Sequence, residues 1–479
     1  MSLTRLSRHF VSRFARPRTC YGAAGGVRTL SSNGSGSSAT KVEKIIQDTI
    51  KATGPISYSN YMQMCLSHPT EGYYMSEKHP VFGSKGDFVT SPEISQVFGE
   101  IIGIWFLSQY LLTFDSRPIR IVELGPGRGT LMADVLRVFS QFDRAKYALQ
   151  EVRLIENSPN MKALQEKVVG DAIRKHDMSA ALQWSDSIDT IARDENSFTM
   201  VLAHEFFDAL PFHLLRKTDQ GWQEVLIDSS PDHAAPTILT SSGTPASSTS
   251  STSKPHFRQV LAPPSPGSML LGLSSLRFQE MPVGSQIEVS PPAFKIAHQL
   301  GKLLATPEKY QDSSIGCALI VDYGDEKAFG NSFRAFRNHK IVDVFDSPGE
   351  CDLTVNVDFA YLKEAIAHNG TISYSILVLI SSNGDNISAT PLGPLSQAEF
   401  LTRMGILMRV DMLNKAVSDE QHKKEIASAA LRLIDPSGMG NQYKVLGISG
   451  VKEDRLSPEL AFPFIDMAEE GEQKTDSNA

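Results

Sequence analysis

From Lys41 onward, apolar side chains recur at helical spacing. Val42, Ile45, Ile46 and Ile50 form one stripe, which Gly54-Pro55 ends. A second short helix is predicted over 59–67, closed by His68-Pro69. Residues 71–90 read as loop, with Gly72, Pro80, Gly83 and Gly86, yet they carry more aromatic residues than a linker needs. Ser91-Pro92-Glu93 reads as the N-cap, N1 and N2 of a long helix whose Ile94, Val97, Phe98, Ile101, Ile104 and Trp105 face a core. Beyond it the period changes. A short apolar strand over 119–124 is followed by a helix over 130–139, a strand over 152–156 and a helix opened by Ser158-Pro159, with further buried strands at 198–203 and 316–322. Alternation of this kind predicts an α/β fold: a mainly parallel sheet covered by helices on both faces.

The stretch 238–268 is rich in Ser, Thr and Pro and reads as an extended surface insertion remote from any chemistry. A Ser396-x-x-Glu399 capping box and a Gly370 stop after a 358–368 segment mark later helices, and 451–479 reads as a disordered acidic tail. The expected organisation is therefore an N-terminal helical lobe over 41–118, a main domain over 119–450 with the low-complexity insertion, a C-terminal helical elaboration within it, and the tail.

With 46 Lys and Arg against 54 Asp and Glu the chain carries a formal charge of −8, which disfavours sequence-independent binding to nucleic acid. Cys20, Cys65, Cys317 and Cys351 are scattered without metal-ligand spacing, so neither a zinc site nor a disulfide framework is expected. The longest apolar stretch, 101–114, contains Ser108 and Gln109 and falls short of the roughly 20 residues that span a bilayer. Residues 1–40 differ from the rest: they hold six arginines and no acid, the first being Glu43. On a helix Leu3, Leu6, Phe10, Val11 and Phe14 fall opposite Arg5, Arg8, Arg13 and Arg16, the pattern of a mitochondrial transit peptide, with a plain basic tail as the alternative. Arg28-Thr29-Leu30-Ser31 resembles a processing site, and cutting there would leave a still more acidic chain.

The most informative element is Val122-Glu123-Leu124-Gly125-Pro126-Gly127-Arg128-Gly129-Thr130, a glycine turn between a buried strand and a helix. A dinucleotide fingerprint needs G-x-G-x-x-G, whereas the third glycine here comes one residue early; the lysine of a phosphate-binding P-loop is missing too. The turn resembles the S-adenosylmethionine loop of Rossmann-like methyltransferases, the alternative being a purely structural turn. Glu156, at the end of the second strand, suits a pair of ribose hydroxyls and would repel a phosphate. Glu123 stands where it can meet a methionine ammonium. Either acid alone could equally be a solvated strand-end charge.

At the end of the 198–203 strand lies His204-Glu205-Phe206-Phe207-Asp208-Ala209-Leu210-Pro211. Glu205 and Asp208, three apart and flanked by aromatic rings, suit a cationic guanidinium; Asp208 could instead cap the turn over core phenylalanines. His204 is expected as a hydrogen-bonded structural residue.

Taken with GYY at 72–74, KGDFVTSPEISQVFGE at 85–100, VDYG at 321–324 and DLTVNVDF at 352–359, these blocks resemble the MidA-type family of mitochondrial complex I assembly factors, S-adenosylmethionine-dependent protein arginine methyltransferases. The resemblance runs over about 45–450 and implies a Rossmann-like methyltransferase core. It further implies S-adenosyl-L-methionine as cofactor, and symmetric dimethylation of an arginine on the 49-kDa core subunit of respiratory complex I in the mitochondrial matrix. Carried over by position, it makes Glu123, Gly125, Gly127, Gly129 and Glu156 cofactor-binding. By the same resemblance Asp87, Ser91, Glu93, Glu205 and Asp208 face the substrate; since a protonated guanidinium needs a carboxylate pair to localise its charge and take its proton, Glu205 and Asp208 are the expected catalytic pair, with Glu93 in reserve. No metal is implied. The chain departs from the family pattern at 238–268 and at 372–390, the latter an apolar, strand-like run before Asn383-Gly384. Two rival functions stay open: an NAD(P)-dependent oxidoreductase, and an assembly chaperone that binds S-adenosylmethionine without transferring its methyl group.

Overall fold

The computed structural model describes residues 39–75, 90–113, 116–229, 257–307, 314–367 and 389–466. The expected transit segment (1–38 of it), Asp87, the 238–256 part of the insertion, 372–388 and 467–479 lie outside the described residues.

Period-two apolar patterning builds the central sheet. In Ile119–Leu124, Ile119 and Ile121 join one core while Val122 and Leu124 join another. Phe198–His204 and Gly316–Asp325 alternate in the same way, with Met200, Leu202, Leu319 and Val321 on the first face and Val201, Ala203, Ala318 and Ile320 on the second. Strands apolar on both faces must be covered twice. Helices Gln96–Leu112 and Thr130–Phe139 contribute to the first core, and Pro291–Leu304 and Phe359–Ile366 to the second.

The strands lie in the spatial order Thr390–Ser396, Tyr443–Ser449, Gly316–Asp325, Phe198–His204, Ile119–Leu124, Leu149–Ile155, Ala181–Ser185. All neighbours are parallel except at Tyr443–Ser449, which runs antiparallel to both strands beside it. Val357–Asp358 adds a short parallel pairing at the end of Gly316–Asp325. From Ile119–Leu124 the chain steps outward through two strands on one side, then returns to the other side at Phe198–His204. The carboxyl ends of these two strands therefore flank the topological switch point, where open α/β sheets bind ligands.

Five expectations change. The long helix begun at Ser91 is two helices, Ser91–Ile94 and Gln96–Leu112, because Ser95 is extended (φ −154°) and its side chain caps Val97 N. Thr90, not Ser91, is the first N-cap. The N-terminal helices do not form a lobe of their own. Lys41–Thr53 and Tyr58–Ser67 pack on a five-stranded antiparallel sheet built mostly from 213–289, and Ile56–Ser57 pairs with Gly221–Ser229. The low-complexity reading of 238–268 runs too far, since Phe257–Leu261 pairs with Gly221–Ser229 and Pro266–Gly272 is helical. Phe257, buried in the lobe core, supplies the apolar anchor that the serine-rich part lacks. The disordered-tail reading likewise begins too early: Pro458–Ala461 is helical, and Phe464 packs against Trp105 and Phe400. No helix among the described residues is long and apolar enough to cross a membrane.

Candidate active site

A cavity of about 510 Å³ opens at the switch point. One end is formed by the glycine turn and the ends of the neighbouring strands. Gly125, Gly127 and Gly129 all have positive φ (60°, 50° and 81°), a conformation that costs other residues roughly 1–2 kcal/mol. Their duties differ. Gly125 and Gly127 line the cavity, whereas Gly129 begins helix Thr130–Phe139, and a Cβ there would lie 2.7 Å from Val169 Cγ2.

Glu156 lines the same end. Its Oε1 accepts from Asn157 N (2.9 Å) and Ser158 N (2.8 Å), and its Oε2 from Gln165 Nε2 (3.1 Å). Gln165, fully buried, also donates to the Gly127 carbonyl at 2.8 Å and accepts from Trp184 Nε1 at 2.9 Å. One amide therefore joins the glycine turn to the acid expected at the ribose. The pattern of the helix does not single out Gln165.

Glu123 is 2% exposed, and its Oε2 has no hydrogen-bond partner among the described residues. Burial pushes its carboxyl up to about 8. A buried acid facing a cavity is costly unless a cation meets it. A glycine turn open to close approach, a fixed carboxylate at the second strand and this acid together fit a nucleoside bearing an amino-acid ammonium. Asp186, Ser187 and Ile188 extend this end beyond the third strand.

The same cavity is also lined by a group that is acidic and aromatic: Glu93, Glu205, Asp208, Asp352, Tyr74 and Tyr323. The turn carrying Glu205 and Asp208 is pinned by Asp322, whose Oδ2 accepts from Phe206 N, Phe207 N and Asp208 N at 3.2, 2.9 and 3.3 Å. Glu205 itself holds a left-handed backbone (φ 49°). Tyr443 donates to Glu205 Oε1 at 2.7 Å, and its oxygen lies 2.5 Å from the Tyr323 hydroxyl. Burial, then the nearby acids, raise Glu205 to about 8; Asp208 is raised well above the carboxylate range by burial and by Asp322 and Asp352, against the lowering pull of Arg334. Asp322 is pushed up to about 7 by burial and by Glu205, while its backbone donors pull the other way.

His204 also lines the cavity, but it is not the hydrogen-bonded residue expected. Its Nε2 lacks a partner among the described residues and stands 3.7 Å from Glu205 Oε1, and its ring packs edge-on to Phe98 at 5.2 Å. Burial drops its pKa to about 3, which keeps it neutral. Ser91 does not reach the cavity. It is fully buried and donates to Gln397 Oε1 at 3.3 Å. Among the described residues no three His, Cys, Asp or Glu side chains are arranged to hold a metal ion.

Of the cavity residues, Tyr74 lies in the aromatic-rich 71–90 stretch and in GYY, and Tyr323 and Asp352 lie in VDYG and DLTVNVDF, so the resemblance marks their blocks but no local pattern gives them a role; nor does one single out Tyr443, which reaches the cavity only through Glu205. Asp322 sits at the end of a buried strand, the one feature that could have drawn attention to it.

Residues 101–377 match the profile of a family of S-adenosyl-L-methionine-dependent methyltransferases. The chain belongs to this family. The methyltransferase uses S-adenosyl-L-methionine as its cofactor. It is similar to the mitochondrial protein arginine methyltransferase NDUFAF7 of Xenopus tropicalis, 34% identical over 422 residues that cover 85% of each chain. The human protein of that name is 32% identical over 83% of this chain and 81% of its own, and the Drosophila melanogaster homologue 34% over 85% and 84%. Among solved structures, a Burkholderia thailandensis protein bound to S-adenosyl-homocysteine superposes with a TM-score of 0.63 at 23% identity, covering 86% of this chain and 92% of its own. A native structure from the same organism gives 0.63 at 24%, covering 89% and 95%. These two show that the methyltransferase shares their fold.

Proposed function

We propose that the chain is a mitochondrial protein arginine N-methyltransferase, and that its acidic cavity end holds the acceptor guanidinium. The observation that carries this reading is that one cavity is lined both by the glycine turn with Glu123 and Glu156 and by the acids Glu93, Glu205 and Asp208, of which Asp208 is buried and the other two half-buried. Burying several acids together is unfavourable until a cation joins them, and an arginine side chain brings one that stays charged at neutral pH. The names of the relatives support arginine as the acceptor and the mitochondrion as the compartment, and favour a transferase over a chaperone that only binds cofactor.

When bound, S-adenosyl-L-methionine supplies a methyl group on a positively charged sulfur. Glu156, fixed by Gln165 and two backbone amides, would take the ribose hydroxyls; Glu123 would take the ammonium. Glu205 and Asp208 would orient the guanidinium with one nitrogen toward the methyl carbon, a gain that comes mostly from positioning. They also take the proton which that nitrogen loses as its bond to carbon forms. The bound cofactor would supply that methyl group and would keep the electron pair of the broken carbon–sulfur bond on its sulfur. Burial and the neighbouring acids raise Glu205, and a guanidinium beside it would favour the ionised carboxylate that can take the proton. Glu93 flanks the pair and is the reserve base.

The resemblance extends the proposal to symmetric dimethylation of the 49-kDa core subunit of complex I in the matrix, after import directed by residues 1–40. Incubation with labelled S-adenosylmethionine and that subunit, followed by mass spectrometry, should show symmetric dimethylarginine. Label on another residue type, or none, contradicts the assignment. Residues 1–40 fused to a reporter should carry it into mitochondria and be removed there; a reporter left in the cytosol contradicts the import reading.

A further inference from the structure

One carboxylate at the acidic end has no part in the chemistry above. Asp352 is 7% exposed and lines the cavity with Glu205 and Asp208, yet it comes from a different layer of the molecule. It begins strand Asp352–Thr354, which pairs with Arg334–Arg337 in a three-stranded antiparallel sheet. That strand is docked on the catalytic turn, since Val355 N donates to the Asp208 carbonyl at 3.0 Å. Tyr74 donates its hydroxyl to Asp352 Oδ1 at 2.7 Å. Tyr74 is itself held by its backbone, which returns to helix Tyr58–Ser67 through Tyr73 N to Cys65 O (2.9 Å) and Tyr74 N to Leu66 O (3.1 Å). Both partners therefore stand on fixed backbone, and both line the cavity.

Building on the arginine reading, we propose that Asp352, held in place by Tyr74, contacts the acceptor and selects a guanidinium over an ammonium. A guanidinium spreads five N–H donors around a plane, whereas an ammonium is a compact point charge. Glu205 and Asp208 approach the acceptor from the switch point of the central sheet, while Asp352 approaches from the three-stranded sheet. Carboxylates supported on separate elements match donors spread over a plane and leave an ammonium able to satisfy only some of them at once. The acids also feel one another: the charge of Asp352 contributes to raising both Glu205 and Asp208, so the three share one electrostatic environment. Tyr74 acts through Asp352 by fixing its carboxylate and is a positioning residue.

The test uses the full chain, S-adenosyl-homocysteine to load the site for binding, and the recombinant 49-kDa subunit as acceptor. Asp352→Asn should leave cofactor affinity within about twofold of wild type. It should raise KM for the acceptor at least tenfold, lower kcat much less, and weaken equilibrium binding of the acceptor to the loaded protein by a similar factor. Tyr74→Phe, which keeps the ring and removes only the hydroxyl, should raise that KM about threefold with cofactor affinity unchanged. In wild type, changing the acceptor arginine to lysine should abolish transfer, and in Asp352→Asn the preference for arginine should narrow. Unchanged acceptor KM and binding in Asp352→Asn would overturn the proposal, as would parallel loss of cofactor affinity in a folded variant. Should that variant not fold, an unaltered KM in Tyr74→Phe overturns it instead. Failure of the arginine reading itself would appear earlier, as wild type that modifies no arginine.

Discussion

A glycine can serve the ligand or the fold, and Gly127 and Gly129 divide these duties two residues apart. Gly127→Val should abolish S-adenosylmethionine binding in calorimetry while the melting temperature moves only a few degrees, since the strain of a positive φ is about 1–2 kcal/mol. Gly129→Val adds a clash with Val169 to the same strain and should cost about 2–4 kcal/mol of stability. Equal cofactor affinity in Gly127→Val and wild type would remove that turn from the site. Glu123 gives a pH test. Its carboxyl rises from the ordinary 4.5 to about 8 in the folded, unliganded chain. The folded state then binds more protons than the unfolded chain between those values, so this group's contribution makes stability fall as pH rises through that window. A cofactor ammonium favours the ionised form. Binding near pH 7 should therefore release a proton, measured as a dependence of binding heat on buffer ionisation enthalpy, and affinity should strengthen toward pH 8. Glu123→Gln should abolish the proton release; release that persists unchanged would assign it elsewhere. Glu123, Glu156, Glu205 and Asp208 could be picked out in the sequence because they close strands beside a recognisable turn. Ser91 misled because its position in a helix start says nothing of which way its hydroxyl faces.

Elements set what residues can do, and the clearest case is helix Pro159–Lys175 beneath the glycine turn. Its Gln165 holds the Gly127 carbonyl and Glu156 at once. Gln165→Leu keeps the bulk and deletes both donations, leaving Trp184 Nε1 without its acceptor. We expect the KM for S-adenosylmethionine to rise tenfold or more with transfer at saturating cofactor largely kept, because the acceptor end is untouched. A fall in saturated transfer with unchanged cofactor KM would contradict that role. The alternating strands and helices of the core could be read in advance because period-two and period-3.6 apolar patterns are strong in buried elements. The break at Ser95 could not, since a serine between apolar residues fits a continuous helix equally well. Nor could the second sheet, whose strands are short, partly exposed and paired over long separations, as with Ile56 and Ile227.

At the scale of the whole molecule, distant segments close over one cavity. Tyr74 meets Asp352, and Tyr443 meets Glu205, across separations of 278 and 238 residues. Contacts of that range leave no trace in local pattern, which is why the acidic end could be read only in part. The C-terminal segment belongs to this closure. Phe464→Ala should cost about 3 kcal/mol or more in urea unfolding, as expected for emptying an aromatic site against Trp105 and Phe400. A change under about 0.5 kcal/mol would restore the reading of a free tail. The central claim is that one end of the cavity binds cofactor while Glu205 and Asp208 work on an arginine at the other. It is tested most directly by comparing cofactor affinity with single-turnover methyl transfer to the 49-kDa subunit in Glu205→Gln and Asp208→Asn. The account predicts affinity near that of wild type and transfer reduced at least a hundredfold under saturating cofactor, the scale of losing a positioned base. Normal transfer by both variants, or loss of affinity and transfer in parallel, would contradict it.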